Sequence, residues 1–185
     1  MNYIEQYQNS LNIALSSFFQ NDLDSAVNLV VHKLQSKNVF LIGNGGSAAL
    51  AQHFATDWTK GIHSLNKKKS CVYSLTTNSS LLTAIGNDIN FDEIYAHQIS
   101  MHGNSGDLLV AISSSGSSRN ILHAVEVAKS INMQTLGLSG FFGGMLKDLV
   151  DISIVVNSND MQAIEDVHGI FGHLVYKKIA NETSF

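Results

Sequence analysis

The chain has 185 residues, 44% hydrophobic and 14% charged, a composition that suits one domain with a substantial core and excludes a disordered chain. A formal charge of −4, with no basic cluster beyond Lys67, Lys68 and Lys69, excludes a dedicated nucleic-acid binder. The single cysteine, Cys71, excludes an internal disulfide, and no apolar run approaches the roughly 18 residues of a membrane span.

The opening MNYIEQYQNS is too polar and lacks the basic start of a secretory signal, so a cytoplasmic protein is expected. Two helical segments, about 2–19 and 21–36, come first. The former carries Tyr3, Tyr7, Leu11, Ile13, Leu15, Phe18 and Phe19, more apolar surface than a lone amphipathic helix needs. Short apolar runs then recur at 38–43, 71–76, 107–113, 135–140 and 152–158. They are continuously apolar rather than alternating, as strands buried on both faces of a parallel sheet should be. Helix-compatible stretches lie between them, such as 47–60 and 117–131; in the latter Ile121, Leu122, Val125, Ala128 and Ile131 recur near a 3.6-residue period. The alternation reads as a three-layer α/β sandwich with a five-stranded parallel sheet and extra N-terminal helices, in one domain over residues 1–185.

Ligands of such sheets bind beyond the carboxyl ends of the strands, and unusual loops stand there. GNGGS (43–47) follows the first strand, TTNSS (76–80) the second and SSSGSS (113–118) the third. GNGGS matches neither the dinucleotide fingerprint nor a P-loop; it is either a tight strand-to-helix turn or a place where backbone closely approaches a ligand. In SSSGSS five serines surround Gly116 at a helix start. A cap uses one hydroxyl, so the surplus favours a phosphate cradle. His53 and Asp57 lie four apart and share a helix face, as a local pair or as metal ligands. Glu165, Asp166, His168 and His173 in AIEDVHGIFGHLVY supply a second set, so a His/carboxylate metal site is open to the chain.

GNGGSAALAQHFATDW, AIGNDINFDEIYAHQI, GDLLVAISSSGSSRNILHAVEVAK, LSGFFGG and IEDVHGIFGHLVY follow one another in order and at characteristic separations. In this combination the chain resembles the phosphoheptose isomerase branch of the sugar-isomerase (SIS) domain family, from about residue 3 onward. The resemblance implies a flavodoxin-like SIS fold and isomerisation of sedoheptulose 7-phosphate to D-glycero-D-manno-heptose 7-phosphate through a cis-enediol, feeding activated heptose for surface glycans. It places the substrate loop on Asn44, Gly45, Gly46 and Ser47, an Asn–Asp pair for sugar hydroxyls on Asn87 and Asp88, and phosphate-binding serines on Ser113, Ser114, Ser115 and Ser118. One Zn²⁺ per subunit is expected on His53, Asp57, Glu165 and His173, in a homotetramer with active sites between subunits and residues 1–36 used in assembly.

Two of those positions depart from the family pattern. Asp57 stands where glutamate is usual, and Glu165 where glutamine is usual. An arginine often found just after that helix is also missing, with Lys60 and Gly61 in its neighbourhood. Asp57 is assigned as the base, Glu165 as its alternative and His173 as the acid/base partner. A non-enzymatic SIS-domain relative that binds the replication initiator DnaA lacks the histidine aligning with His173, so retention of His173 favours the enzyme.

Overall fold

Why the strands are apolar without interruption is plain in the computed structural model, which describes residues 2–66 and 71–182. Strands β1 (Asn38–Gly43), β2 (Cys71–Ser74), β3 (Leu108–Ser113), β4 (Gln134–Gly140) and β5 (Ile152–Val156) form one parallel sheet in the order β2-β1-β3-β4-β5. Successive side chains point to opposite faces, and both faces are covered. Val39, Leu41, Leu108, Val110, Ile112, Leu136 and Leu138 join one core with Phe18, Phe54, Trp58 and Phe171. Phe40, Ile42, Leu109 and Ala111 join the other with Ile85, Ile99, Ile121 and Val125.

Helices α1 (Tyr3–Phe18), α2 (Leu23–Leu34), α3 (Gly46–Asn66) and α8 (Met161–Glu182) cover the first face. The second is covered by α4 (Ser79–Asp88), α5 (Ala96–His102), α6 (Arg119–Ser130) and the short α7 (Leu146–Leu149), with a 3₁₀ turn at Phe91–Glu93. The three layers and five strands agree with the sequence reading. Strand β2 ends at Ser74 and β5 at Val156, each two residues short of the apolar run. Helix α3 runs on to Asn66, beyond the expected 60, and α4 and α5 occupy a segment whose short, broken apolar pattern carries no strong period. The three consecutive lysines at 67–69 lie outside the described residues.

Helices α3 and α8 approach each other closely at Gly172. Gly172 has no Cβ, and one placed there would overlap the edge of the Phe54 ring. The Trp58 indole donates to the Gly172 carbonyl (3.1 Å), and the Phe54 and Trp58 rings stack with centroids 5.3 Å apart. Helix α1 docks on the same layer through buried Ala14 and Phe18, and its Tyr7 hydroxyl donates to Asp166 on α8. Its outer surface keeps Tyr3 (80% exposed), Ile4 (60%) and Ile13 (60%) in solvent.

His168 is fully buried behind the strand ends. Its Nε2 faces the Ser139 carbonyl at 3.1 Å, and burial holds its pKa down to about 4.

Two outcomes follow from this packing. Gly172→Ala forces a methyl group against Phe54 and lowers unfolding free energy by about 1–3 kcal/mol; Gly169→Ala, with its nearest neighbour Leu50 at 3.7 Å, raises it by about 0.5–1 kcal/mol. Urea denaturation of both variants checks the contrast. His168 is neutral in the folded protein and protonates more readily when unfolded, so its contribution is complete above pH 6.5. That contribution is lost as pH falls toward 4, by about 3 kcal/mol in all. His168→Gln should flatten the urea midpoint between pH 7 and 4, and a slope equal to that of the parent would refute the assignment.

Candidate active site

In the order β2-β1-β3-β4-β5 the chain reverses direction across the sheet between β1 and β3, where a crevice opens at the strand ends. The loops after β1 and β3 flank it. Asn44 and Asn120 tie them together through reciprocal amide hydrogen bonds of 2.9 Å. Asn120 is buried in the first turn of α6. Below them the Tyr95 hydroxyl donates to the Gly43 carbonyl; burial pushes that hydroxyl up to about 12, so it remains a neutral donor. Neither Asn120 nor Tyr95 carries a local sequence signal, because each acts through a partner more than 50 positions away.

The serine loop is held open by backbone. Gly116 has φ +62°, and a Cβ on it would fall 2.6 Å from the Gly143 carbonyl carbon. Gly140 N donates to the Ser114 carbonyl (2.8 Å) and Leu146 N to the Gly116 carbonyl (2.9 Å), so the loop after β4 buttresses the loop after β3. The Ser113 hydroxyl lies 3.3 Å from that of Ser118 and 3.5 Å from that of Ser115. Ser118 is the N-cap of α6, yet its hydroxyl makes no capping bond. Three hydroxyls and the N-terminus of a twelve-residue helix thus form a donor set suited to a phosphate dianion. Ser114 differs: its hydroxyl is buried without a hydrogen-bond partner.

Gly46 begins α3 directly beneath Glu165; a Cβ there would stand 2.8 Å from the carboxylate carbon. Ser47 is buried behind it. Asn87 donates to Asp88 (2.8 Å) at the exposed end of α4. The following turn is pinned to α6 by Asp92–Arg119 (3.0 Å) and Glu93–His123 (3.3 Å), which holds the Asn–Asp pair on the side of the serine loop's helix.

Further along the α3–α8 seam, inward Phe54 and Trp58 turn their neighbours His53 and Asp57 outward, and Gly172 does the same for His173. The two Nε2 atoms face each other at 3.1 Å, and Asp57 Oδ2 lies 3.4 Å from His53 Nε2 and 4.0 Å from His173 Nε2. All three ligand atoms fall within 4.8 Å of one another. Ligand atoms at the corners of a zinc tetrahedron stand about 3.3 Å apart, so these residues fit a divalent ion of that size. Glu165 does not join them. It is eight residues before His173 on α8, about 12 Å along the axis, and its carboxylate rests at Gly46 instead. Among the described residues one chain therefore assembles three of the four expected ligands.

The family profile described as "SIS domain" matches residues 2–140. The phosphoheptose isomerase of Aliarcobacter butzleri is 42% identical over 166 residues, spanning 89% of this chain and 87% of that protein. Among solved structures, the phosphoheptose isomerase from Neisseria gonorrhoeae superimposes with a TM-score of 0.85 at 30% identity, covering 95% and 96% of the two chains. The one from Francisella tularensis gives the same TM-score at 28% identity, over 98% and 100%.

Removing two converging hydroxyls tests the cradle. Each charge-assisted hydrogen bond is worth roughly 1.5–3 kcal/mol, so Ser113→Ala/Ser118→Ala should weaken inorganic phosphate binding about tenfold or more in a calorimetric titration. Unchanged affinity in the double variant would refute it.

Proposed function

The chain belongs to the SIS domain family and, within it, to the phosphoheptose isomerases, and on that premise we propose that it interconverts sedoheptulose 7-phosphate and D-glycero-D-manno-heptose 7-phosphate. It is an aldose–ketose isomerase of a phosphosugar. The observation that carries the finer reading is the meeting of His53, Asp57 and His173 on one open face of the α3–α8 seam, in a chain that also holds the serine cradle.

Isomerisation moves a proton between two adjacent carbons and another between their oxygens, by way of a cis-enediol. The cradle of Ser113, Ser115 and Ser118, lined by Ser114 backbone, takes the phosphate and fixes the remote end of the sugar, which leaves little freedom at the reacting carbons. Asn44, Gly45, Gly46, Ser47, Asn87 and Asp88 face the sugar around the crevice. Asp57 accepts the carbon-bound proton, and the imidazole of His173 exchanges the proton between the oxygens. A zinc ion held by His53, Asp57 and His173, one per subunit, supplies polarisation of the substrate oxygens when bound. Glu165 belongs to the sugar side, beside Gly46, rather than to the ion.

His53 and Asp57 lie seven and eleven residues into α3 from Gly46, about 10 and 16 Å along the axis. That separation between the loop after β1 and the triad supports an active site completed by a second subunit. The exposed apolar side of α1, with Tyr3, Ile4 and Ile13, supports a tetramer assembled through residues 1–36. No helix among the described residues is long and apolar enough to cross a membrane, in keeping with a cytoplasmic enzyme whose product enters activated-heptose synthesis for surface glycans.

Turnover of sedoheptulose 7-phosphate at saturating zinc, with mass in solution and bound zinc measured alongside, tests these assignments together. Asp57→Asn should cost about 10²-fold or more in kcat and weaken zinc retention. Glu165→Gln, which restores the family's usual residue, should keep zinc and measurable turnover. An active Asp57→Asn with a dead Glu165→Gln reverses the base assignment, two fully active variants overturn the mechanism, and a monomeric mass overturns the shared site.

A further inference from the structure

The triad opens into a cleft of about 430 Å³ whose walls are Asp57, Lys60, Gly61, His173, Tyr176 and Lys177, a volume within the range of small-molecule sites, about 300–1,000 Å³. The backbone explains how two lysines reach it. Gly61 leaves room for the Tyr176 ring, which packs against it and closes the floor. Lys60 and Lys177, adjacent in sequence to Gly61 and Tyr176, then flank the cleft from α3 and α8. Both lysines are exposed, and neither has a carboxylate partner among the described residues. Asp57, the carboxylate of the cleft, is already faced by two imidazoles. The walls thus carry two ammonium groups against one carboxylate, a surplus that calls for an anionic ligand.

The serine loop already offers the phosphate a seat, which leaves this cleft to the reacting end of the sugar. Proton abstraction beside a carbonyl poses a matching demand: a carboxylate near carbon and cations near oxygen. From this we infer that Lys60 and Lys177 contact the substrate and stabilise the negative charge that develops on its oxygens during isomerisation. As the C–H bond breaks, the proton passes to Asp57 and the electron pair shifts through the new carbon–carbon double bond onto the carbonyl oxygen. The two ammonium groups hold that oxyanion until it is reprotonated; His173 then moves the proton between the two oxygens, and Asp57 returns its proton to the neighbouring carbon to form the product. Preorganised charge at a developing oxyanion acts on kcat rather than on ground-state binding.

This inference rests on the isomerase reading and adds a role for two residues to it. The test is steady-state kinetics of Lys60→Gln/Lys177→Gln at saturating zinc, with bound zinc, mass in solution and melting temperature recorded. The double variant should lose about 10²-fold in kcat with KM within about twofold and unchanged zinc and mass, and Lys60→Arg/Lys177→Arg should recover most of the loss. Unchanged kcat overturns the inference. A raised KM at unaltered kcat overturns it in favour of lysines that hold the phosphate, and a change of mass overturns it in favour of ion pairs between subunits. Lack of turnover in the parent enzyme overturns the isomerase reading and this role together, whereas an active parent with an equally active double variant overturns the lysine role alone.

Discussion

A missing methyl group at Gly172 governs the geometry of this protein. Because α8 presents bare backbone there, the Phe54 ring lies directly on it and the Trp58 indole reaches the Gly172 carbonyl. Phe54 and Trp58 are four apart and point inward, which turns His53 and Asp57, one position earlier in each case, to the outer edge of the same contact. On α8 the neighbour of Gly172 is His173, so the closeness of the two backbones is what lets imidazoles from different helices meet at 3.1 Å. A wider seam would leave the same residues on the surface but out of reach of one another. The triad is a by-product of dense apolar packing, and its rigidity is that of the core beneath it.

A second constraint acts at the strand ends. The loops after β1, β3 and β4 hold each other by backbone and amide hydrogen bonds, with Asn44 and Asn120 paired across the crevice and Gly116 pressed against Gly143. Few side chains are involved, so the hydroxyls of Ser113, Ser115 and Ser118 are not spent on holding the loops together and converge on one another instead. Ser118 illustrates the arrangement: it occupies the cap position of α6 without spending its hydroxyl there. The serine loop and the triad are thereby built on different supports, one on interlocked loops and the other on a helix seam.

Charge is distributed to match. The serine loop at the strand ends presents neutral donors, suited to an anion whose charge is already present. The cleft at the triad places a carboxylate between imidazoles and sets lysines around it, suited to charge that appears only during reaction. Glu165, at Gly46, lies at the strand ends although it shares a helix with His173. Helix α8 thus serves both regions from positions two turns apart.

Much of this was legible in the amino-acid order alone. Continuous apolar runs specified a parallel sheet covered on both faces, since burial on both sides is what removes alternation. Five serines around Gly116 pointed to a phosphate cradle, and His53 and Asp57 declared a shared face through their spacing of four. The motifs from GNGGS to IEDVHGIFGHLVY carried the family. Tertiary structure alone decided the rest. Spacing along a helix cannot say which helix lies alongside, so the meeting of His173 with His53, the separation of Glu165 from both, and the lysines flanking one cleft depend on where Gly172 and Gly61 let α3 and α8 touch. Asn120 and Tyr95 were silent for the same reason: a hydrogen bond between distant positions leaves no periodicity behind, and only the packed sheet brings its two ends within 3 Å.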